Sequence, residues 1–392
     1  MAFALAAMLM LAALVPPARA QAFTALYSFK GGTDGYLPAS GLIRDSAGNL
    51  YGVTFRGGDS NCDRGLSCGV VFKIDANGKE TVHHRFAGKA DGAYPSGSLT
   101  LDSAGNLYGT SNYGGNLACD KGYGCGTVFK LDTTGKLTAL HIFSGTDGAS
   151  PNGSLIVDAA GNLYGTTFAG GNSSNSGTVF KIDASGNYAV LYRFTGKVDG
   201  KNPLAGVVRD SAGNLFGTTY QGGTRYFGSG TVFKLDKTSK LTVLHTFIPN
   251  GLLDGAYPNA GVSPYGEDFY STTSGGGTSE FGTVFKLDKA NNETVLYNFA
   301  GGTDGRYPQN SPVVHDASGN LYGTTENGGD SNDDGTVFML DATGNETLLH
   351  TFNGTDGSRP MAGVIVDSAG NLYGTTYQGG AFGYGTVFKI TP

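Results

Sequence analysis

The chain has 392 residues, including 66 Gly, 23 Phe and 21 Tyr, and only 15% of it is charged. That is the composition of short aromatic strands joined by tight turns, and past the N-terminus no stretch keeps apolar residues at helical spacing for three turns, which argues against a helical protein. The net charge is −6 with Lys and Arg scattered singly, so no basic stripe could follow a phosphate backbone and nucleic acid is not expected as a partner.

In chain order, the apolar run Ala2 to Val15, the helix-breaking Pro16-Pro17 and a small-residue A-R-A site ending at Ala20 predict a secretory signal peptide over 1–20, although it has no positive n-region. No later segment is apolar for long enough to span a membrane. A single domain is expected over 21–392. It opens with a lone strand-like run, FTALYSF, at 23–29.

A phrase close to DSAGNLYGTT then recurs, its glycine falling at Gly48, Gly105, Gly161, Gly213, Gly319 and Gly370, with a degenerate copy, EDFYSTT, aligned at Glu267. A period of just over fifty residues means one supersecondary unit per repeat. Each unit holds four strand-like runs, a to d, which in the second copy are GSLTLD (97–102), NLYGTS (106–111), GTVFKLD (126–132) and LTALHIF (137–143). The phrase is therefore the end of strand a, a turn and strand b. Asp accepts a backbone N–H in that turn and Gly takes the positive φ, while the c to d turns DANGK, DTTGK, DASGN and DATGN repeat the device. The last run, GTVFKIT at 385–391, is a strand c with no d after it. Counting the lone first strand with the last repeat gives seven complete sets, which predicts an all-β, seven-bladed β-propeller whose N-terminal strand completes the last blade.

Together, GTVFKLD, TVLHxF, DGxxP and DSAGNLYGTT resemble the GloVer tandem repeat of secreted bacterial proteins, and the likeness covers all seven copies. The resemblance implies an exported protein, periplasmic or at the cell surface, often with a C-terminal sorting anchor. The chain departs from that pattern by stopping at Pro392 directly after a strand. The D-x-x-G-N-L-Y turn alone is similar to that of NHL and SMP-30-type propellers, where it is scaffold.

In such a fold the a–b and c–d turns share one face, and the b–c and d–a connections share the other. The first set is short and uniform, the second long and variable, so any functional face is expected to be the second. That face carries the seven DGxxP aspartates Asp34, Asp91, Asp147, Asp199, Asp254, Asp304 and Asp356, read as local turn acceptors rather than metal ligands. It also carries two C-x5-C pairs, Cys62 with Cys68 and Cys119 with Cys125, read as disulfides in an exported chain in preference to a zinc site. Loop aromatics Tyr94, Tyr113, Tyr123, Tyr226, Phe227, Tyr307 and Tyr384 are the candidate binding residues.

No organic cofactor is implied. Calcium is the one cation suggested, at DSNDDG (330–335), where Asp330, Asn332 and Asp334 match the spacing of a calcium loop and solvated Asx turns are the competing reading. His84, His141, His245 and His350 alternate with Tyr27, Tyr192 and Tyr297 at one strand d position, which reads as packing, with His83 beside it in blade 1. His315, Arg44 and Arg209 break the symmetry of the inner strands. The leading functional reading is an exported binding or interaction module for a glycan, a peptide or an envelope protein. The alternative is an extracellular polysaccharide lyase or hydrolase in which those three residues neutralise a uronate carboxylate and a loop Tyr acts as base.

Overall fold

In the computed structural model the described residues are 21–391, without 61, 63–66, 225–227, 249–253 and 309–311. The signal peptide expected over 1–20 therefore lies outside the described residues. Seven antiparallel sheets run in sequence over 43–85, 100–142, 156–193, 208–246, 263–298, 314–351 and 365–391, each with four strands a to d and the second joined by a fifth, Ala93–Pro95, and are numbered blades 1 to 7. In blade 1, strands a to d are Ile43–Arg44, Leu50–Thr54, Val70–Ile74 and Glu80–Arg85. Blade 7 borrows its strand d from the start of the chain: Ala22–Ser28 pairs with Thr386–Thr391, placing Ala22 opposite Thr391 and Ser28 opposite Thr386. The ring is closed as its strand inventory predicts.

Strand a is shorter than the sequence pattern suggests, two paired residues in six of the seven blades and three in blade 5. The small residues preceding it line the central channel and so leave the sheet. Strand c is buried on both sides, as a central strand must be. Its Val71-type residue packs on one face and its Phe72-type residue on the other, both with no exposure. Its Lys, which reaches the edge, lies over the aromatic ring of strand b, as Lys73 does at 5.6 Å from the Tyr51 centroid. This cross-strand pair accounts for the Lys of GTVFKLD and the Tyr of GNLYG.

The Gly that follows that Tyr is a packing requirement. A Cβ on Gly374 would stand 2.5 Å from the Phe388 ring, and one on Gly52 would stand 2.6 Å from Phe72. Neither glycine has a positive φ, so space alone fixes the choice. Between blades, the Phe ending each d segment meets the strand c Phe of the next blade edge to face. Phe29 with Phe72, Phe143 with Phe180 and Phe352 with Phe388 belong to seven such pairs, at 5.1 to 5.5 Å. Each pair contributes about 0.5–1.5 kcal/mol beyond the area it buries.

Strand d carries a one-residue bulge in every blade. In blade 1 the residue skipped by the register is His83, where the other blades have Leu. Its Nε2 is buried without a hydrogen-bond partner, and burial holds its pKa below the ordinary histidine value.

Candidate functional site

The two faces use their polar groups differently. On the a–b turns, Asp45 accepts the N–H groups of Ala47 and Asn49 at 3.0 and 2.8 Å, together with the Asn49 amide and the Tyr51 hydroxyl. The same set recurs around Asp102, Asp158, Asp316 and Asp367. These carboxylates serve their own turns. At this end of the channel Arg44 stacks on Tyr373 of blade 7 and Arg209 on Tyr164 of blade 3, at 5.6 and 5.8 Å. His315 lies flat on Tyr265 at 4.5 Å and edge-on to Tyr270, and burial lowers its pKa. No contact among the described residues brings these three side chains together.

On the opposite face each DGxxP aspartate closes a latch. Asp34, Asp91, Asp147, Asp199, Asp254, Asp304 and Asp356 meet Tyr27, His84, His141, Tyr192, His245, Tyr297 and His350 respectively, at 2.6 to 3.4 Å. Each also accepts a backbone N–H just upstream, as Asp147 does from Ser144 at 2.8 Å. The aspartates are thus local acceptors as expected. The His/Tyr position is a hydrogen-bonded clasp between strand d and the turn, which corrects its reading as packing.

After the latch, the residue preceding the proline adopts a left-handed backbone in all seven repeats: Leu37, Tyr94, Ser150, Asn202, Tyr257, Tyr307 and Arg359 have φ between 51° and 60°. For non-glycine residues this costs about 1–2 kcal/mol each. A hydrogen bond from the residue just past strand b holds it, as Phe55 N–H donates to Leu37 O and Tyr377 N–H to Arg359 O, at 2.9 and 3.0 Å. Two concentric rings of side chains result, one from the residues before proline and one from Phe55, Asn112, Phe168, Tyr220, Ser274, Glu326 and Tyr377. The backbone is sevenfold; these side chains are not.

Neighbouring members touch across blade interfaces. Phe55 stacks on Tyr94 at 4.9 Å, and Tyr220 lies 5.3 Å from Tyr257. Between blades 6 and 7 the contact is an ion pair instead: Glu326, only 4% exposed, accepts Arg359 Nε at 3.0 Å and Nη2 through the same oxygen. Tyr377 stands beside this pair and has its pKa raised, first by burial, with Arg56 and Arg359 opposing the shift and Glu326 and Tyr36 adding to it. Below the rings lies a cavity of about 410 Å³. Phe55, Tyr377 and Met361 line it together with the small residues that precede strand a, among them Ser40, Ser96, Ser98, Asn152, Ser154 and Asn259. Ser96 Oγ donates to Asn152 Oδ1 at 3.0 Å, whereas the buried Ser40 Oγ has no hydrogen-bond partner among the described residues.

None of the described loop aromatics singled out in the sequence is among the residues lining this cavity. Tyr94 is buried between Phe55 and Tyr113, with Arg56 over its ring at 5.2 Å. Tyr307 packs on Phe281 and Arg306. Tyr123 packs beside Tyr113 and Tyr384 beside Tyr36, both more than 40% exposed. Tyr226 and Phe227 lie outside the described residues. Glu326, Arg359 and Tyr377 were not singled out in the sequence. The available signal was columnar: Glu326 follows a TT pair that Phe, Tyr or Ser follows in other repeats.

Both cysteine pairs are disulfides, with Cα separations of 5.8 Å for Cys62–Cys68 and 5.5 Å for Cys119–Cys125. In DSNDDG, Asp330 accepts the N–H groups of Asn332 and Asp333 in an Asx turn. Asp333 is bound to Arg306 and to Gly328 N–H, and the Asp334 carbonyl accepts Arg359 N–H at 2.7 Å. No helix among the described residues is long and apolar enough to cross a membrane.

Among solved structures, the chain is similar to streptogramin B lyase, at 12% identity with a TM-score of 0.61 over 95% of this chain and 99% of that one. It is also similar to the extracellular domain of a putative one component system from B. thetaiotaomicron, at 10% identity with a TM-score of 0.60 over 94% of this chain and 40% of that one. At such identities the likeness is one of fold. No curated protein matches the sequence. The Gloeobacter/Verrucomicrobia repeat matches residues 15–159, 117–330 and 227–392. The motifs, their sevenfold recurrence and this coverage agree, and the chain belongs to the Gloeobacter/Verrucomicrobia repeat family.

Proposed function

We propose that this protein is an exported glycan-binding propeller that receives one or two sugar units at the mouth of its central cavity on the long-loop side. The observation that supports this most is the break in symmetry there: buried Glu326 paired with a half-exposed Arg359 beside Tyr377, which lines a largely apolar cavity dotted with Ser and Asn side chains. Sugars are bound by planar groups that exchange paired hydrogen bonds with hydroxyls and by aromatic faces that cover the ring. Arg359 with Glu326 supplies the first and Tyr377 the second. A cavity near 410 Å³ falls in the range of small-ligand sites.

Binding without cleavage is favoured over hydrolysis by the carboxylate count. A glycosidase of the two-carboxylate type needs a second acid roughly 5–9.5 Å from the first, and the described residues lining the cavity add no carboxylate to Glu326. The experiment is calorimetric titration of a neutral and acidic oligosaccharide panel, with product analysis of each mixture. Arg359→Ala and Tyr377→Ala should each weaken the best ligand by about 1–3 kcal/mol, while Asn77→Ala and Ser185→Ala on the turn face should not. Shortened oligosaccharides in the mixtures would overturn the non-catalytic reading. A panel with no binder would overturn the glycan reading.

A further inference from the structure

The sevenfold latch supplies an internal control for a second site. The strand d residue paired with the last Ile or Leu of the strand c core, as Tyr188 is with Ile182 and Phe23 with Ile390, leans over the latch of the preceding blade. Tyr188 stacks on His141 at 3.6 Å and Phe23 on His350 at 3.9 Å. At three interfaces this residue is a glutamate. Glu80 faces Tyr27 with Asp34, and Glu346 faces Tyr297 with Asp304. Between blades 4 and 5, Glu293 faces His245 with Asp254, and one ligand atom from each of these three side chains lies within 4.8 Å of the others. Among the described residues this is the one place where an imidazole and two carboxylates converge in this way.

We propose that His245, Asp254 and Glu293 bind a divalent transition metal, zinc by the character of its donors, as a clip across the interface of blades 4 and 5. One imidazole and two carboxylates form a three-ligand set of the kind zinc accepts, with a fourth position left to water. His245 Nε2 and Asp254 Oδ1 are 3.4 Å apart, near the spacing of two atoms that share one ion at ligand distance. Asp254 Oδ2 is held by Ile248 N–H, which leaves Oδ1 turned toward the imidazole. Glu293 Oε1 is buried without a hydrogen-bond partner among the described residues, as is Oε1 of Glu80 and of Glu346, but among the three only Glu293 has an imidazole beside it to complete a donor set.

The test is titration of zinc chloride into chelator-treated protein, followed by calorimetry and by melting temperature. Binding of about one equivalent with a rise in Tm is expected, since an ion held by the native state stabilises it by mass action. His245→Tyr installs the residue that closes the same latch in three other blades, so the fold is retained and the imidazole is lost. It should weaken zinc at least about tenfold, as should Glu293→Gln. Glu80→Gln and Glu346→Gln remove the corresponding glutamates where no imidazole faces them, and should leave the affinity unchanged. A parent protein that binds no zinc, or an affinity that survives both His245→Tyr and Glu293→Gln, would overturn the assignment.

Discussion

The turn face and the long-loop face are made by the same seven repeats, yet only one of them differentiates. On the turn face each Asp45-type carboxylate is consumed by its own hairpin, and substitutions that keep the hairpin change nothing outside it. On the loop face the latch and the left-handed residue fix the backbone just as strictly, and that strictness leaves the side chains free to vary. Where one blade carries Phe55 against Tyr94, another carries Glu326 against Arg359. A repeat protein can acquire a specific site by holding the main chain constant and changing one residue per ring.

The largest expected effect comes from breaking the frame that both faces share. A chain beginning at Lys30 lacks the strand Ala22–Ser28 and Phe29, which is fully buried against Phe72. Burying one such Phe contributes about 1.5–3 kcal/mol, and the open sheet edge adds to the loss. Thermal unfolding should show a fall in Tm of well over ten degrees by rough estimate against a chain starting at Gln21. Equal melting temperatures would contradict ring closure.

Next is Gly374→Ala, which forces a Cβ against Phe388 and should cost about 1–3 kcal/mol by overpacking, read from urea unfolding. Blade 5 shows how the frame accommodates a larger residue: Ser271 takes that position and its hydroxyl donates to Gly261 O at 2.8 Å. The substitution disturbs packing shared by both faces without touching either, so it separates frame from site.

A smaller and pH-dependent effect belongs to the loop side. Burial, with Asp34 nearby, pushes the Glu80 pKa up to about 7, against about 4.3 in an unfolded chain. Between these values the unfolded state binds fewer protons than the native one, so stability falls as pH rises and levels off above 7. Glu80→Gln should therefore raise Tm at pH 8 and leave it unchanged at pH 4. Because the group is partly solvated, the gain is expected near 1 kcal/mol. Asp147 works in the opposite direction. Burial raises its pKa, but hydrogen bonds from His141 and Ser144 outweigh that and bring it to about 2, so its contribution is lost as pH falls from about 4 toward 2.

Much of the fold was legible because it is written locally. The Asx turns, the Gly of GNLYG and the orphan strands at 23–29 and 385–391 each announce themselves within a few residues. The latch was half legible. Asp147 reads as a turn acceptor, but the bulge that aims His141 at it is a feature of strand pairing and leaves no mark in composition. The mouth was least legible. Glu326 and Arg359 are 33 residues apart and meet only because strand b of one blade ends beside the left-handed residue of the next. Exposure was misjudged for the same reason: Tyr94 looks like a loop aromatic in the sequence and is only 5% exposed, packed into the joint between blades 1 and 2.

The central claim is that ligand binding belongs to the differentiated face. Hydrogen exchange of the backbone amides, measured with and without the best oligosaccharide of the panel, tests it most directly. Slowed exchange is expected at Ser40–Gly41, at Glu326 and at Tyr377, with no change in the turns around Asp45, Asp75 and Asp183. Protection confined to those turns, or spread equally over both faces, would contradict the account.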